Sequence, residues 1–188
     1  MKRWKRSGSE IVYDSRYFRV RKDAVELHDG IRKEWTYWDS ADSAMTLGMT
    51  EEKKLVMIRQ YRYLVDDVVI EFPSGTIEAG ESEADGARRE FEEETGYVCG
   101  TMTELGSFYE TYGQLNRKIH IFFSEGVMLS DHRRLSTDDV SEETEVVLVG
   151  VDEAVRLALE NKIAAMGSSL AILLLKSFLQ SDRDMDME

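Results

Sequence analysis

The sequence predicts a mixed α/β (α+β) fold with an antiparallel strand extension at its N-terminus. Three observations lead there. The first third of the chain alternates apolar and polar residues in strand fashion, with frequent β-branched and aromatic side chains. At Gly75 the pattern switches to a glycine-bounded loop and then a run rich in Ala, Glu and Arg, residues that favour helix. Further strand patterns follow, and two helical segments close the chain.

Taken in order, Ile11–Tyr13 and Tyr17–Leu27 read as strands. Asp29-Gly30, before the strand Ile31–Trp38, is a two-residue hairpin signal. Ala44–Met49 and Leu55–Tyr61 come next, joined by the charged turn Glu51–Lys54, and Val68–Phe72 is a short apolar strand. Gly75–Gly80 is a loop. Ser82–Thr95 reads as a helix, with Ser82 capping it, Asp85 three residues on, and Gly96 placed for a left-handed terminus. Gly86 inside that helix costs about 1 kcal/mol relative to alanine, which a close approach to another backbone would explain. Strands resume at Met102–Glu110, Lys118–Glu125 and Glu145–Val151, the last after the polar stretch Ser130–Thr144. Helices are expected at Asp152–Asn161 and Gly167–Gln180, where Leu170, Leu173, Leu174 and Phe178 fall at helical spacing and read as core. The expected division is a flexible start over 1–8, a strand extension over 9–50, the main domain over 51–180 and a flexible tail over 181–188.

At 188 residues the chain suits one core, and 42% hydrophobic against 32% charged residues excludes a disordered chain. A net charge of −13 argues against a nucleic-acid polymer as partner, since such proteins present a basic stripe. An acidic protein that handles an anionic small molecule must neutralise charge locally, and a divalent cation does so. Cys99 is the only cysteine, which excludes an intrachain disulfide and fits a reducing compartment. The basic start Met1–Arg6 leads into no apolar stretch, so it is not a secretory signal. Leu170–Leu175 is the longest apolar run, far short of a membrane span. A soluble cytoplasmic protein, with no membrane partner, is the expectation.

Glu90, Glu93 and Glu94 share one helix, with Glu90 and Glu94 stacked four apart and Glu93 on the flank. Such like charges repel by a few tenths of a kcal/mol per pair, and Arg89, four before Glu93, offsets part of that. A solvated acidic face is one reading. The other is a hard-cation site, since magnesium seeks carboxylate and carbonyl oxygens.

The loop in front favours the second. The string Gly75-x5-Glu81-x7-Arg89-Glu90-Phe91-x-Glu93-Glu94-x-Gly96-Tyr97 resembles the signature box of the Nudix hydrolases, Gly-x5-Glu-x7-Arg-Glu-U-x-Glu-Glu-x-Gly-U, with U a bulky apolar residue. Every fixed position matches, which chance would produce in roughly one chain per million. Phe91 and Tyr97 stand where that family prefers aliphatics, and both are bulky enough to pack the helix onto a sheet. The resemblance implies an α/β/α sandwich with a mixed sheet. It implies Glu90, Glu93 and Glu94 as ligands of Mg2+, with Mn2+ as a substitute, and the backbone carbonyl of Ser74 as a further ligand. Gly75 and Glu81 then brace the loop. Arg89 orients the carboxylates, and Arg89 and Glu93 count among the catalytic positions. Attack would be in line on one phosphorus, with the other phosphate leaving.

The flanks resemble ADP-ribose and ADP-sugar pyrophosphatases. Arg59-Gln-Tyr-Arg62 and Glu71-Phe-Pro-Ser-Gly75 match the segment before the box, which makes Arg59 and Arg62 candidates for substrate phosphates; the planar guanidinium fork suits phosphate oxygens. The N-terminal hairpin resembles strands that cross to a partner subunit, implying a homodimer. Trp35, with Trp38 as alternative, sits where relatives stack an aromatic on the base; core packing is the competing reading. Glu142-Glu-Thr-Glu-Val-Val147 resembles the place of a catalytic glutamate before a late strand. Alignment favours Glu142 as general base, with Glu143 next. One departure stands out: Tyr109–Gln114 has Gly113 but no proline, where ADP-ribose-specific enzymes carry a Ser-Pro-Gly-like turn. His28 and His120 lack metal-ligand spacing and read as structural.

Three functions follow in order. The first is hydrolysis of a nucleotide sugar such as ADP-ribose to AMP and ribose 5-phosphate. The second is hydrolysis of another nucleotide, GDP-mannose or a nucleoside triphosphate. The third is a catalytically idle nucleotide-sugar sensor, which the intact box glutamates disfavour.

Overall fold

The structure, a computed structural model, describes residues 2–16, 18–130 and 144–185. It divides into two units, one formed by Met1–Asp42 with Tyr109–Lys118, the other by Ser43–Phe108 with Ile119–Glu188. The boundary falls at Asp42, and the distant segment Tyr109–Lys118 belongs to the first unit.

The first unit is an antiparallel sheet of β1 (Lys5–Asp14), β2 (Arg19–Glu26) and β3 (Arg32–Asp39), in that spatial order. β1 begins at Lys5, well before the expected Ile11. All of its residues are exposed, so no buried face imposes the alternation by which strands are read. The turn after β2 also differs from expectation. Leu27 N–H donates to the Ile31 carbonyl (2.8 Å) and Gly30 N–H to the Leu27 carbonyl (3.1 Å), with Gly30 at φ +82°. The loop is therefore His28-Asp29-Gly30, three residues closed by a left-handed glycine. Polar side chains pin the sheet. Asp23 is buried and accepts from the Ser9 hydroxyl (2.5 Å) and the Tyr37 hydroxyl (3.3 Å). Arg21 Nε donates to Asp39 (2.8 Å). The returning segment is tied on by Asn116 Nδ2, which donates to Asp39 (2.8 Å), and by Trp38 N–H, which donates to the Gln114 carbonyl (2.8 Å).

The second unit is a helix–sheet–helix sandwich. Its sheet holds β4 (Ser43–Met49), β5 (Lys54–Arg62), β6 (Asp67–Glu71), β7 (Ser74–Thr76), β9 (Met102–Tyr109), β10 (Lys118–Glu125) and β12 (Thr144–Gly150), in the order β12-β5-β4-β10-β9. A small pair, β8 (Tyr97–Val98) and β11 (Met128–Leu129), lies apart. β4 is buried at every residue, as expected of a strand covered on both faces. It pairs parallel with β10 along Ser43–Met49, yet meets β5 only at Gly48↔Val56 and Met49↔Leu55. Beyond that point the sheet divides. β7 takes the edge of β4 at Ser43–Met45, and β6 takes the edge of β5 at Ile58–Arg62. The short β7 lies at the start of what reads as loop in the sequence.

One sheet face carries α1 (Glu83–Thr95), the other α2 (Val151–Leu159) and α3 (Met166–Met185). The core toward α2 and α3 includes Met45, Leu47, Met57, Ile121 and Leu175. Toward α1 it holds Val56, Phe91, Cys99 and Val127, with Ala44, Ala87 and Phe122 beside them. In α3 the expected Leu170, Leu174 and Phe178 pack against the core, and Leu173 does not. Ser168, Ala171, Ile172 and Leu175 are buried, Leu170, Leu174 and Phe178 flank them half-buried, and Leu173 is 45% exposed. The small residues let the helix sit close, and their low hydrophobicity hid that stripe. The helix also extends to Met185, into the expected tail. Among the described residues no helix is long and apolar enough to cross a membrane.

Phe91 fixes α1 to the sheet. Its ring is fully buried against Gly48, where an added Cβ would stand 2.2 Å from Cζ. Gly48→Ala should therefore cost about 1–3 kcal/mol in urea denaturation, and an unchanged midpoint would show that the ring has room to move.

Candidate active site

α1 is set by its own ends. Ser82 caps it by accepting from Asp85 N–H (3.1 Å), and its hydroxyl donates to the Asp85 carboxylate (2.6 Å). Gly96 ends it in the left-handed conformation at φ 74°. Between these, every fixed side chain of the box except Glu94 meets one guanidinium. Arg89 Nε donates to Glu81 Oε1 (3.0 Å), and Nη2 donates to Glu81 Oε2 (3.1 Å) and the Thr76 carbonyl (3.0 Å). Its Nη1 donates to Glu90 (2.8 Å) and Glu93 (3.4 Å). Glu94 accepts instead from Ser74 N–H (3.2 Å), so the box glutamate reaches the strand before Gly75.

Two glycines make this packing possible. A Cβ on Gly75 would stand 2.1 Å from the Glu90 carboxylate carbon, so the glutamate lies directly on bare backbone. Gly86 is explained differently from the expectation. Its Cβ would meet Glu81 Oε2 at 3.1 Å and Ile77 Cγ1 at 3.3 Å, side chains of the loop rather than another backbone. The loop folds back over the first turns of the helix, and Glu81 lies where a methyl group would crowd it.

Electrostatically the arrangement runs against the helix. Glu93 and Glu94 occupy its last turn, which has no basic residue, and carboxylates there face the negative end of the macrodipole. The Glu81 carboxyl is held below its ordinary value, first by the Arg89 hydrogen bond and then by the Glu78 N–H. Arg89 in turn is raised further by Glu81 and Glu90. A cavity of about 400 Å³ opens beside these residues, lined by Asp85, Arg88, Arg89, Glu92, Glu93 and Tyr97. Arg88 anchors its rim by donating to the Cys99 (2.6 Å) and Gly100 (3.0 Å) carbonyls.

Among the described residues, no three His, Cys, Asp or Glu side chains close into a ready metal cage. The carboxylates face N–H donors instead. Their chemistry still fits magnesium, because the donors are hard oxygens and this ion keeps several waters while taking one or two carboxylates plus phosphate oxygens.

The remaining sequence candidates are distributed. Arg59 Nε lies 3.7 Å from Glu145 on β12. Arg62 is held more firmly, Nε and Nη2 both on Glu71 Oε1 at 2.8 and 2.6 Å, with Glu71 buried. Trp35 and Trp38 belong to the first unit, and neither is core. They are 38% and 45% exposed, Trp35 edge-on to Trp4 and Trp38 edge-on to Phe18. Glu142 and Glu143 lie outside the described residues. Sequence reading missed Glu71 as the partner of Arg62, and missed the buried Gln60 between them; strand register, not local pattern, brings these together.

A family model of the NUDIX domain matches residues 39–169. The chain belongs to the Nudix family. Residues 4–38 match the N-terminal domain of nucleoside diphosphate sugar hydrolases, so the Nudix domain here follows that module directly. The chain is 29% identical over 179 residues to ADP-ribose pyrophosphatase of Bacillus subtilis (strain 168), covering 94% of this chain and 95% of that protein. It is 30% identical over 164 residues to the methanol dehydrogenase activator of Bacillus methanolicus, covering 87% and 88%. A crystal structure of an ADP compounds hydrolase superposes with a TM-score of 0.83 at 21% identity, covering 97% of each chain, and shares the Nudix fold.

The Arg89–Glu81 pair has a pH signature. Because the folded Glu81 carboxyl sits below its ordinary value, its stabilisation is present above that ordinary value and is lost as pH falls through the folded one. Arg89→Met should lower stability at neutral pH by about 1–3 kcal/mol. The gap to the parent should narrow in acid melts below the usual carboxylate range, and a pH-independent gap would remove Glu81 from the account.

Proposed function

We propose that the protein hydrolyses the pyrophosphate bond of a nucleoside diphosphate sugar in the presence of Mg2+, with an ADP-ribose-like compound as substrate and AMP and ribose 5-phosphate as products. The observation that carries this reading is the last turn of α1. Glu93 and Glu94 stand at the helix end least hospitable to negative charge, and Glu90, about one turn earlier, lies over bare backbone at Gly75. Such an arrangement is understandable if the carboxylates serve a cation. Magnesium, or manganese in its place, would supply charge neutralisation to the phosphate oxygens during displacement.

The chain's own residues take the remaining tasks. Glu90 and Glu94, Glu93 beside them and the Ser74 carbonyl hold the ion. Arg89 and Glu81 keep the carboxylates in place. Arg62 and Arg59 receive phosphate oxygens, and Glu71 fixes the direction of Arg62. Glu142, with Glu143 as alternate, takes the proton of the attacking water. The exposed Trp35, or Trp38, stacks on the base, contributed to the site of a second copy through the N-terminal strands. GDP-mannose is the second reading, favoured by one observation: Tyr109–Gln114 has no proline where an ADP-ribose-specific turn has one.

The test is a hydrolysis screen of ADP-ribose, GDP-mannose, UDP-glucose, dinucleotides and nucleoside triphosphates with Mg2+ and then Mn2+. Turnover of a nucleotide sugar, abolished by EDTA and by Glu94→Gln without loss of melting temperature, is expected; inertness toward all of these compounds overturns the reading. Trp35→Ala should raise KM for the nucleotide by about tenfold, since stacking is worth roughly 1–3 kcal/mol. An unchanged KM would leave that indole without a role in binding.

A further inference from the structure

Gln60 lies in the middle of the strand pairing that carries Arg62. Register places it opposite Val69 of β6 and Thr144 of β12, on the same face as Ile58 and Arg62. It is 5% exposed, and its side-chain oxygen is buried with no hydrogen-bond donor among the described residues. Such an atom costs free energy in the free protein, and buried polar groups in folded proteins are overwhelmingly paired. Its surroundings belong to the proposed site. Thr144 donates its hydroxyl to the Glu94 carbonyl (3.3 Å). On the other side Arg62 reaches back along the strand to Glu71, which is paired opposite Ile58, so that bridge spans the row occupied by Gln60.

We propose that Gln60 is a substrate-binding residue, its side-chain oxygen accepting a hydrogen bond from a hydroxyl of the sugar attached to the pyrophosphate. The inference deepens the function proposed above and rests on it. The chemistry selects the donor. Phosphates carry no donor at neutral pH, and the base is separated from them by a ribose. Beside an arginine and glutamates that address phosphates, the O–H groups that arrive with the substrate are sugar hydroxyls. Burial makes the contact selective, because a buried acceptor rejects a ligand that lacks the matching donor.

The experiment compares the full chain with Gln60→Met, which keeps the volume and removes the acceptor. Melting temperature without ligand should rise by roughly 2–4 °C, because an unpaired buried polar atom is gone. KM for ADP-ribose or GDP-mannose should rise about tenfold. KM for the methyl esters of ADP and GDP, where a methyl group replaces the distal sugar, should stay within twofold, as should the Kd of Mg2+ alone by calorimetry. A fall in melting temperature overturns the proposal by making Gln60 a structural residue. Equal losses on sugar and methyl ester, or weakened binding of Mg2+ alone, overturn it by placing the donor elsewhere. A parent protein inert toward every nucleotide sugar overturns the underlying function as well, whereas an active parent with an unaffected variant overturns this inference alone.

Discussion

The second unit's chemistry depends on how one guanidinium spends its five N–H groups. Arg89 has five acceptors within reach: both oxygens of Glu81, one oxygen each from Glu90 and Glu93, and the Thr76 carbonyl. No lysine could do this, since an ammonium has three donors and no planar fork. The loop oxygens come from one side and the helix oxygens from the other, so the same residue fixes the loop and holds together carboxylates that would otherwise repel. Glu94 falls outside its reach and is held by the backbone of Ser74.

The sheet supplies the second constraint. Because β4 and β5 pair over only two residue pairs before taking separate partners, the chain must cross between the two halves. It does so through Phe72 and Pro73. Phe72 fills the core, and the Pro73 carbonyl accepts from Thr46 N–H (3.3 Å). Proline has no N–H to leave unpaired at such a crossing. The crossing delivers Glu71 to Arg62 on one side and Ser74 to Glu94 on the other. Residues from three strands and one helix are thus paired at the two ends of a two-residue crossing.

Much of this was legible because it is local. Ser82, Gly96 and the box glutamates reveal themselves by spacing along a single helix, and the cap, the C-terminal glycine and the packing of Phe91 follow as expected. The failures share a different cause. Gln60 and Glu71 gain their environment from register between strands, which no short window contains. Leu173 shares the helical spacing of its neighbours yet stays exposed, while the small Ala171 and Ser168 occupy the buried stripe. β1 shows little alternation because neither of its faces is covered, and Gly86 answers to a side chain on a preceding loop.

Both units contain contacts that close long stretches of chain, and the box is the short-range exception: in the second unit Phe72 N–H reaches the Ser168 hydroxyl across 96 positions. Within the box, Arg89 meets Glu81 eight positions away and Glu94 meets Ser74 twenty away. In the strand unit, Asn116 meets Asp39 across 77 positions and Lys118 meets Asp42 across 76. Closure entropy grows slowly with length, by roughly 0.6 kcal/mol per doubling, but long loops also slow the search for their contacts. The carboxylate strip is therefore held by short-range contacts, while its helix packs through Phe91 against Val56 and the later Val127. In the strand unit, β1, β2 and β3 pair within residues 5–39 and only the returning segment comes from far along the chain.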